Sequence, residues 1–190
     1  LGVRRQRQMC IRDRNKINCP ETYIFRGQKA ASGFISNYNF KSKLIYKPLF
    51  GSQGDNIRLI ERASDLEKLE NQTNIYYFQE YLDNSPNYDY RVLVINNNDN
   101  IKYFYMTRYG ETFINNFSKG AKCIKEKLNE DVIELAIKSS RLLNIDFCGV
   151  DIIEYKRQYY VIEVNSIPAW KGLQKIESAN ISDYITSLFA

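Results

Sequence analysis

An acid and an amide two residues apart inside an apolar run, with a proline three residues beyond, constrain this chain more than any other feature. The stretch is VIEVNSIPAWKG, residues 161–172. In a strand, Glu163 and Asn165 share one face and Ile162 and Val164 the other, so one face suits a core and the other a polar ligand. Upstream, FCGVDIIEYKRQYYVIEVN reads as two β-rich runs, 147–155 and 159–165, joined by a short polar turn. A three-residue loop of Lys156, Arg157 and Gln158 would set Tyr155 opposite Tyr159. Asp151 would then lie opposite Glu163, on the face that carries Asn165. A two-residue loop would split them between faces. Carboxylates directly opposite one another repel, so two of them beside an amide carbonyl suggest an oxygen-ligated cation such as Mg²⁺, with Asp151, Glu163 and Asn165 as ligands. The alternative is an amphipathic hairpin with a solvated acidic face.

At 190 residues the chain suits one ordinary domain or two small lobes. No apolar run approaches the roughly 18–20 residues that cross a bilayer, and no secretory signal is evident, which points to a cytoplasmic protein without a membrane partner. The formal charge of +5 invites a nucleic-acid reading, but residues 1–14, LGVRRQRQMCIRDR, hold five arginines and one aspartate, leaving +1 for the rest. That basic tail has no helical or strand period and resembles translated sequencing-adapter sequence, so it is expected to be disordered and foreign to the fold. No nucleic-acid partner is expected. The chain has no histidine, which excludes Ser-His-Asp and Cys-His chemistry and most zinc sites. Cys10, Cys19, Cys123 and Cys148 lack ligand-like spacing and are expected as free thiols.

From Asn15 the chain reads as a turn, a short strand TYIF, and a helix over about 27–38 with Ala30, Ala31, Phe34 and Ile35 on one face. KLIYKPLF, GSQGDN and IRLIE follow as strand, small loop and strand. That layout suits a glycine loop over phosphates, with Gly51 and Gly54 allowing close backbone approach and Lys47 supplying a point charge. A plain hairpin turn beside a solvated lysine is the alternative. ASDLEKLENQ is predicted as a short helix with Ser64 and Glu67 spaced as a capping box. IYYFQEYL, 75–82, fits the middle of a sheet, and DNSPNY, 83–88, is a candidate hinge. DYRVLVI and IKYFYMTRYG form a hairpin in which Arg91 and Arg108 fall near the outer strand ends, where arginines usually face solvent. GETFINNFSKGAKC is a loop. A helix over 130–144 presents Val132, Leu135, Ala136, Leu142 and Leu143, and AWKGLQKI and ISDYITSLF close the chain.

YKPLFGSQG, FQEYL, DYRVLV, FINNFSKGA, GVDII and VIEVNSIPAWKGL occur in the order and approximate spacing of the ATP-grasp ligases, RimK-type glutamate ligase branch. The resemblance spans about residues 19–190. It implies an α+β, ATP-grasp fold: two α+β lobes with antiparallel sheets, 15–82 and 83–190, and the nucleotide between them. Carried over by position, Lys47 matches the lysine on the ATP phosphates, and Gly51, Ser52, Gln53 and Gly54 match the loop closing over them. Glu80 and Tyr81 match the pair that holds the adenine, and Asp89 an acidic position that helps bind nucleotide. Asn116 matches the asparagine before the GG or GA turn, with a catalytic role, and Asn115 beside it is assigned to the nucleotide. Asp151, Glu163 and Asn165 match the ligands of Mg²⁺ or Mn²⁺.

The resemblance further implies that a substrate carboxylate attacks the γ-phosphoryl group of ATP to give an acylphosphate, from which the amine of L-glutamate displaces phosphate. Arg108 and Arg91 would steady the anionic substrate. The partners implied are a small-molecule or peptide carboxylate acceptor and L-glutamate, with a homo-oligomer as the expected assembly. Another ligase of the superfamily, with a different amine or acceptor, and a nucleotide-binding fragment without turnover are the rival readings. The sequence departs from the pattern in places. Asn56 stands at a commonly glycine position and Ile114 where RimK has arginine, while FINNFSKGA and NSIPAWKGL look closer to the branch acting on tetrahydromethanopterin-like pterins. The family's N-terminal domain is expected to be missing from this stretch of chain.

Overall fold

The computed structural model describes residues 17–49, 55–71, 73–97, 100–112 and 120–189. The basic tail 1–14, the glycine loop 51–54, and Asn115 and Asn116 lie outside the described residues. The chain divides into two compact units, Pro20–Asp83 and a second built from 84–189 together with 17–19.

In the first unit, β1 (Thr22–Arg26), β2 (Leu44–Tyr46), β3 (Arg58–Ile60) and β4 (Ile75–Glu80) make an antiparallel sheet in the order β1-β4-β2-β3. The apolar run at β4 explains its interior place: Tyr76, Tyr77, Phe78 and Gln79 are all buried, which needs cover on both faces. Gly27 turns at φ +90°, a conformation that costs glycine little, and leads into α1 (Gln28–Asn37). Ala31 and Ile35 of α1 pack on Leu44, Tyr46, Ile60 and Phe78. Phe34 meets Phe25 in a tilted ring pair with centroids 4.7 Å apart, whereas Ala30 is exposed. The segment predicted as a helix with a Ser64–Glu67 box is instead a 3₁₀ turn, Ala63–Lys68. Asp65 does the capping, its Oδ2 accepting from the amides of Glu61 (3.1 Å) and Arg62 (3.3 Å).

In the second unit, β5 (Tyr88–Asn97), β6 (Asn100–Tyr109), β7 (Lys122–Ile124), β8 (Phe147–Tyr155) and β9 (Gln158–Asn165) form an antiparallel sheet in the order β7-β6-β5-β8-β9. One face packs under α2 (Glu130–Leu142), with Val92, Val94, Val150, Ile152, Val161 and Val164 against Val132 and Ala136. Asn129 caps α2 by accepting from the amide of Asp131 at 3.0 Å. The predicted stripe of α2 is corrected at its end. Leu142 is 38% exposed, and Ser139 and Ser140 are buried instead, because their hydroxyls donate to the carbonyls of Leu135 (2.7 Å) and Ile145 (2.6 Å). The other face divides in two. At one end Leu93 and Met106 meet Leu173 of α3 (Lys171–Gln174) and Ile181 of α4 (Ile181–Thr186). At the other end stand charges.

Ile17 enters the core beside α2, and the carbonyl of Asn18 accepts from the amide of Val161 at 2.9 Å on the outer edge of β9. Among the described residues Cys123 and Cys148 are free thiols, as expected from their spacing. None of the described helices is long and apolar enough to cross a membrane.

The β8–β9 hairpin differs from the sequence reading in one instructive way. Tyr155 pairs with Gln158, so the turn holds two residues, Lys156 and Arg157, both at positive φ (50° and 61°) as in a type I′ turn. Two residues alone would separate Asp151 from Glu163. A bulge restores them: Ile152 pairs with Val161 but Asp151 pairs with Glu163, leaving Ile162 as the extra residue. The bulge also moves the core positions of β9 to Val161 and Val164, in place of the expected Ile162 and Val164. Left-handed backbone costs a non-glycine residue roughly 1–2 kcal/mol, so replacing Lys156 and Arg157 by Asn and Gly should stabilise the second unit by about that amount. Urea denaturation measures it. Unchanged or reduced stability would overturn the turn assignment.

Candidate functional site

Strand alternation places Asp89 and Arg91 of β5 on one face, two residues apart. Cross-strand register does the rest: Arg108 of β6 pairs with Asp89, Asp151 of β8 with Arg91, Glu163 of β9 with Asp151, and Asn165 with Gly149. Six of the residues singled out in the sequence are thereby brought to one end of one sheet face. Asp89, Arg91, Arg108 and Asp151 are 3–7% exposed, so the expectation that strand arginines face solvent is corrected for both. Each has a carboxylate beside it to compensate its charge.

Arg108 donates through Nε (2.5 Å) and Nη2 (2.8 Å) to the two oxygens of Asp89. Arg91 donates likewise to Asp151, through Nε to Oδ1 and through Nη2 to Oδ2 at 2.7 Å. Nη2 of Arg108 also reaches Oδ1 of Asp151 at 3.2 Å, joining the two pairs into one network. Both pairs have the two-point geometry that guanidinium and carboxylate favour. Burial pushes the Asp151 carboxyl up, but Arg108 and Arg91 together outweigh it and hold the group below the usual carboxylate range. Asp89 has one full partner, and there burial prevails over Arg108, pushing its pKa up to about 6. Among the causes acting on Arg108, burial opposes its charge and the two aspartates overcome this, holding its pKa above the ordinary arginine value.

The donor set fits a hard divalent cation. A carboxylate offers about four lone-pair sites. Two donors occupy Oδ1 of Asp151 and one occupies Oδ2, so Oδ2 keeps a lone pair. Glu163 lies exposed directly across from it. Oδ1 of Asn165 is buried without a hydrogen-bond partner, which is costly unless something positive approaches it. All three groups offer oxygen, the preference of Mg²⁺ and Mn²⁺ rather than of softer metals.

In the first unit, Lys47 directly follows β2, its amide donating to the Tyr77 carbonyl of β4 at 3.0 Å. Nζ of Lys47 donates to Oε1 of Gln79 at 2.5 Å, and Nε2 of Gln79 donates to Thr22 at 3.4 Å. Gln79 was not singled out as a site residue. Its signal was parity, since it alternates with the core residues Tyr76 and Phe78 of an otherwise apolar strand. Glu80 ends β4, its amide donated to the Glu21 carbonyl at 2.8 Å. The amide of Tyr81 is donated to the Lys43 carbonyl at 2.9 Å.

The network carries a pH signature. Because the folded state raises the Asp89 pKa to about 6, that group stabilises the fold at low pH and loses this contribution as pH rises through about 6. Asp151, depressed, has the opposite sign: its contribution is present above the ordinary carboxylate range and lost below it. Relative to Asp89→Asn, wild type should lose roughly 1–3 kcal/mol between about pH 4 and 7. Denaturation series at several pH values measure the difference. A constant difference across that window would refute the raised pKa.

The model of the RimK-like ATP-grasp domain matches residues 4–188. The chain is 28% identical over 178 residues to the tetrahydromethanopterin:alpha-L-glutamate ligase of Methanocaldococcus jannaschii, covering 89% of this chain and 60% of that protein. It is 29% identical over 184 residues to the alpha-aminoadipate–LysW ligase LysX of Saccharolobus solfataricus, covering 90% and 64%. It thus spans about three fifths of the length of these relatives. A solved structure similar in fold is the RiPP-associated ATP-grasp ligase of Chryseobacterium gregarium in complex with ADP and a leader and core peptide. The TM-score is 0.72 at 18% identity, covering 97% of this chain and 58% of that one. With the ion network, the oxygen donors and the two antiparallel sheets in view, the chain belongs to the RimK-like ATP-grasp domain family.

Proposed function

We propose that this chain is the nucleotide-binding and catalytic portion of an ATP-dependent carboxylate–amine ligase that joins L-glutamate to the carboxylate of a small molecule or peptide. The observation that carries the reading is the trio Asp151, Glu163 and Asn165 on one sheet face, with the Asn165 oxygen buried and unpartnered. Family membership supplies the ATP. The adenine is assigned to the strand end at Glu80 and Tyr81, and the phosphates to Lys47 and the loop Gly51–Gly54, with Asn115 also at the nucleotide, Asn116 in catalysis, and Asp89 acting through Arg108, which holds both its oxygens.

Asp151, Glu163 and Asn165 would hold Mg²⁺ or Mn²⁺, which when bound offsets the negative charge of the phosphates. Lys47 adds a second positive charge there, held in place by Gln79. The acceptor carboxylate attacks the γ-phosphoryl group, releasing ADP and forming an acylphosphate. The amine of glutamate then attacks the acyl carbon, the amide bond forms and phosphate leaves. Arg108, ionised and spanning both aspartates, offsets their negative charge on this face. Fixed charges of this kind require no reorganisation as negative charge shifts during transfer.

The test is phosphate release from ATP with glutamate and a panel of acceptors, together with ATP binding at set Mg²⁺ concentrations. Asp151→Asn, Glu163→Gln and Lys47→Met should each weaken Mg²⁺-dependent ATP binding by about 10-fold or more, since each removes a charge-assisted contact of roughly 1.5–3 kcal/mol. ATP binding without phosphate release for any acceptor would favour a nucleotide-binding fragment without turnover. Unchanged affinity in the two acid variants would remove the cation site.

A further inference from the structure

Gly149 has no part in the mechanism above, yet it sits amid the charged face. It pairs with Leu93 on β5 and with Asn165 on β9, and it lies two residues before Asp151. A Cβ placed on it would come within 2.9 Å of Cβ of Pro168 and 3.3 Å of both Cδ and Nη1 of Arg91. The first distance is one that real side chains do not tolerate. The bare backbone of Gly149 is therefore what lets the Arg91 side chain and the 166–169 loop meet over β8.

That crowding bears on what Arg91 can do. Its side chain is 9% exposed, its Nε and Nη2 are given to Asp151, and its Nη1 corner lies against Gly149. Little of the guanidinium is left to meet a substrate. Two-point pairing instead fixes the plane of the Asp151 carboxylate to that of the guanidinium, and so aims the lone pair left on Oδ2.

We infer that Arg91 is a positioning residue: it orients Asp151 toward the cation, and Gly149 with Pro168 forms the slot that holds its guanidinium in that pose. The inference rests on the cation reading and assigns Arg91 a different task from gripping the substrate. Groups that hydrogen-bond to a metal ligand orient it, and their loss commonly lowers metal affinity 10–100-fold. Arg91→Lys keeps the charge but not the planar fork. Gly149→Ala keeps both and fills the slot.

The full chain is titrated with Mn²⁺ alone, free metal being followed by electron paramagnetic resonance, and thermal unfolding without metal checks each variant's fold. Arg91→Lys and Gly149→Ala should each weaken Mn²⁺ binding by about 10-fold or more. The double variant should lose no more than the weaker-binding single one, because Gly149 acts through Arg91. In turnover, the KM for the amine should stay constant in Arg91→Lys. If Asp151→Asn loses Mn²⁺ while Arg91→Lys retains it, or if the amine KM rises in Arg91→Lys, the positioning role is overturned and the cation site stands. If Asp151→Asn itself keeps full affinity, the cation reading fails and the inference with it. Should Gly149→Ala not fold, Pro168→Gly opens the same slot. A loss of Mn²⁺ affinity there supports the slot, and full retention overturns it.

Discussion

Two arginines and two aspartates withdrawn from water on one sheet face govern the second unit. A single charge buried alone costs several kcal/mol, and deleting one partner of a buried pair typically costs 3–5 kcal/mol. The four groups are therefore tolerable only together. Asp89 and Arg91 alternate in sign along β5, and the neighbouring strands answer each with its opposite, Arg108 and Asp151. A one-residue slip of either neighbour would carry its charge to the apolar face under α2. The network thus fixes the register of three strands.

The same arrangement separates roles among acids that look alike in the sequence. Asp89 is consumed by Arg108. Asp151 is nearly consumed, retaining one direction of approach. Glu163, one strand further out, is the exposed acid of the group. Beside them the unpartnered oxygen of Asn165 marks where the face is electrically incomplete. In the first unit a comparable logic holds at smaller scale, where Gln79 accepts from the Lys47 ammonium and helps to fix its position.

What could be read from the sequence was what depends on local alternation. The two β runs, the central place of the 75–82 run, the α2 region and the Asp151–Glu163 juxtaposition all follow from period-two or helical patterning. The turn is one residue shorter than the sequence suggests, and the bulge at Ile162 restores the pairing that the shorter turn would break. Neither a two-residue turn of lysine and arginine nor a bulge at isoleucine carries a local signal, because each depends on what packs on the far side of the strand. The burial of Arg91 and Arg108 was hidden for a similar reason: their partners are 60 and 19 residues away, and only register brings them close. Ser139 and Ser140 are not legible as buried positions because their hydroxyls are satisfied by backbone carbonyls that the helical pattern does not display.

The short segment at Ile17 and Asn18 has a consequence for how the polypeptide can be divided. Its side chain fills the core beside α2 and its backbone lies along the free margin of β9, while the chain from Pro20 onward builds the other unit. In connectivity the first unit is an insertion into the second, with both of its ends tied there. A boundary drawn at the start of the first sheet would therefore cut away a piece of the opposite core. An excised second unit would have to bring residues 17–19 with it, either through a bridging loop or by circular rearrangement of the chain.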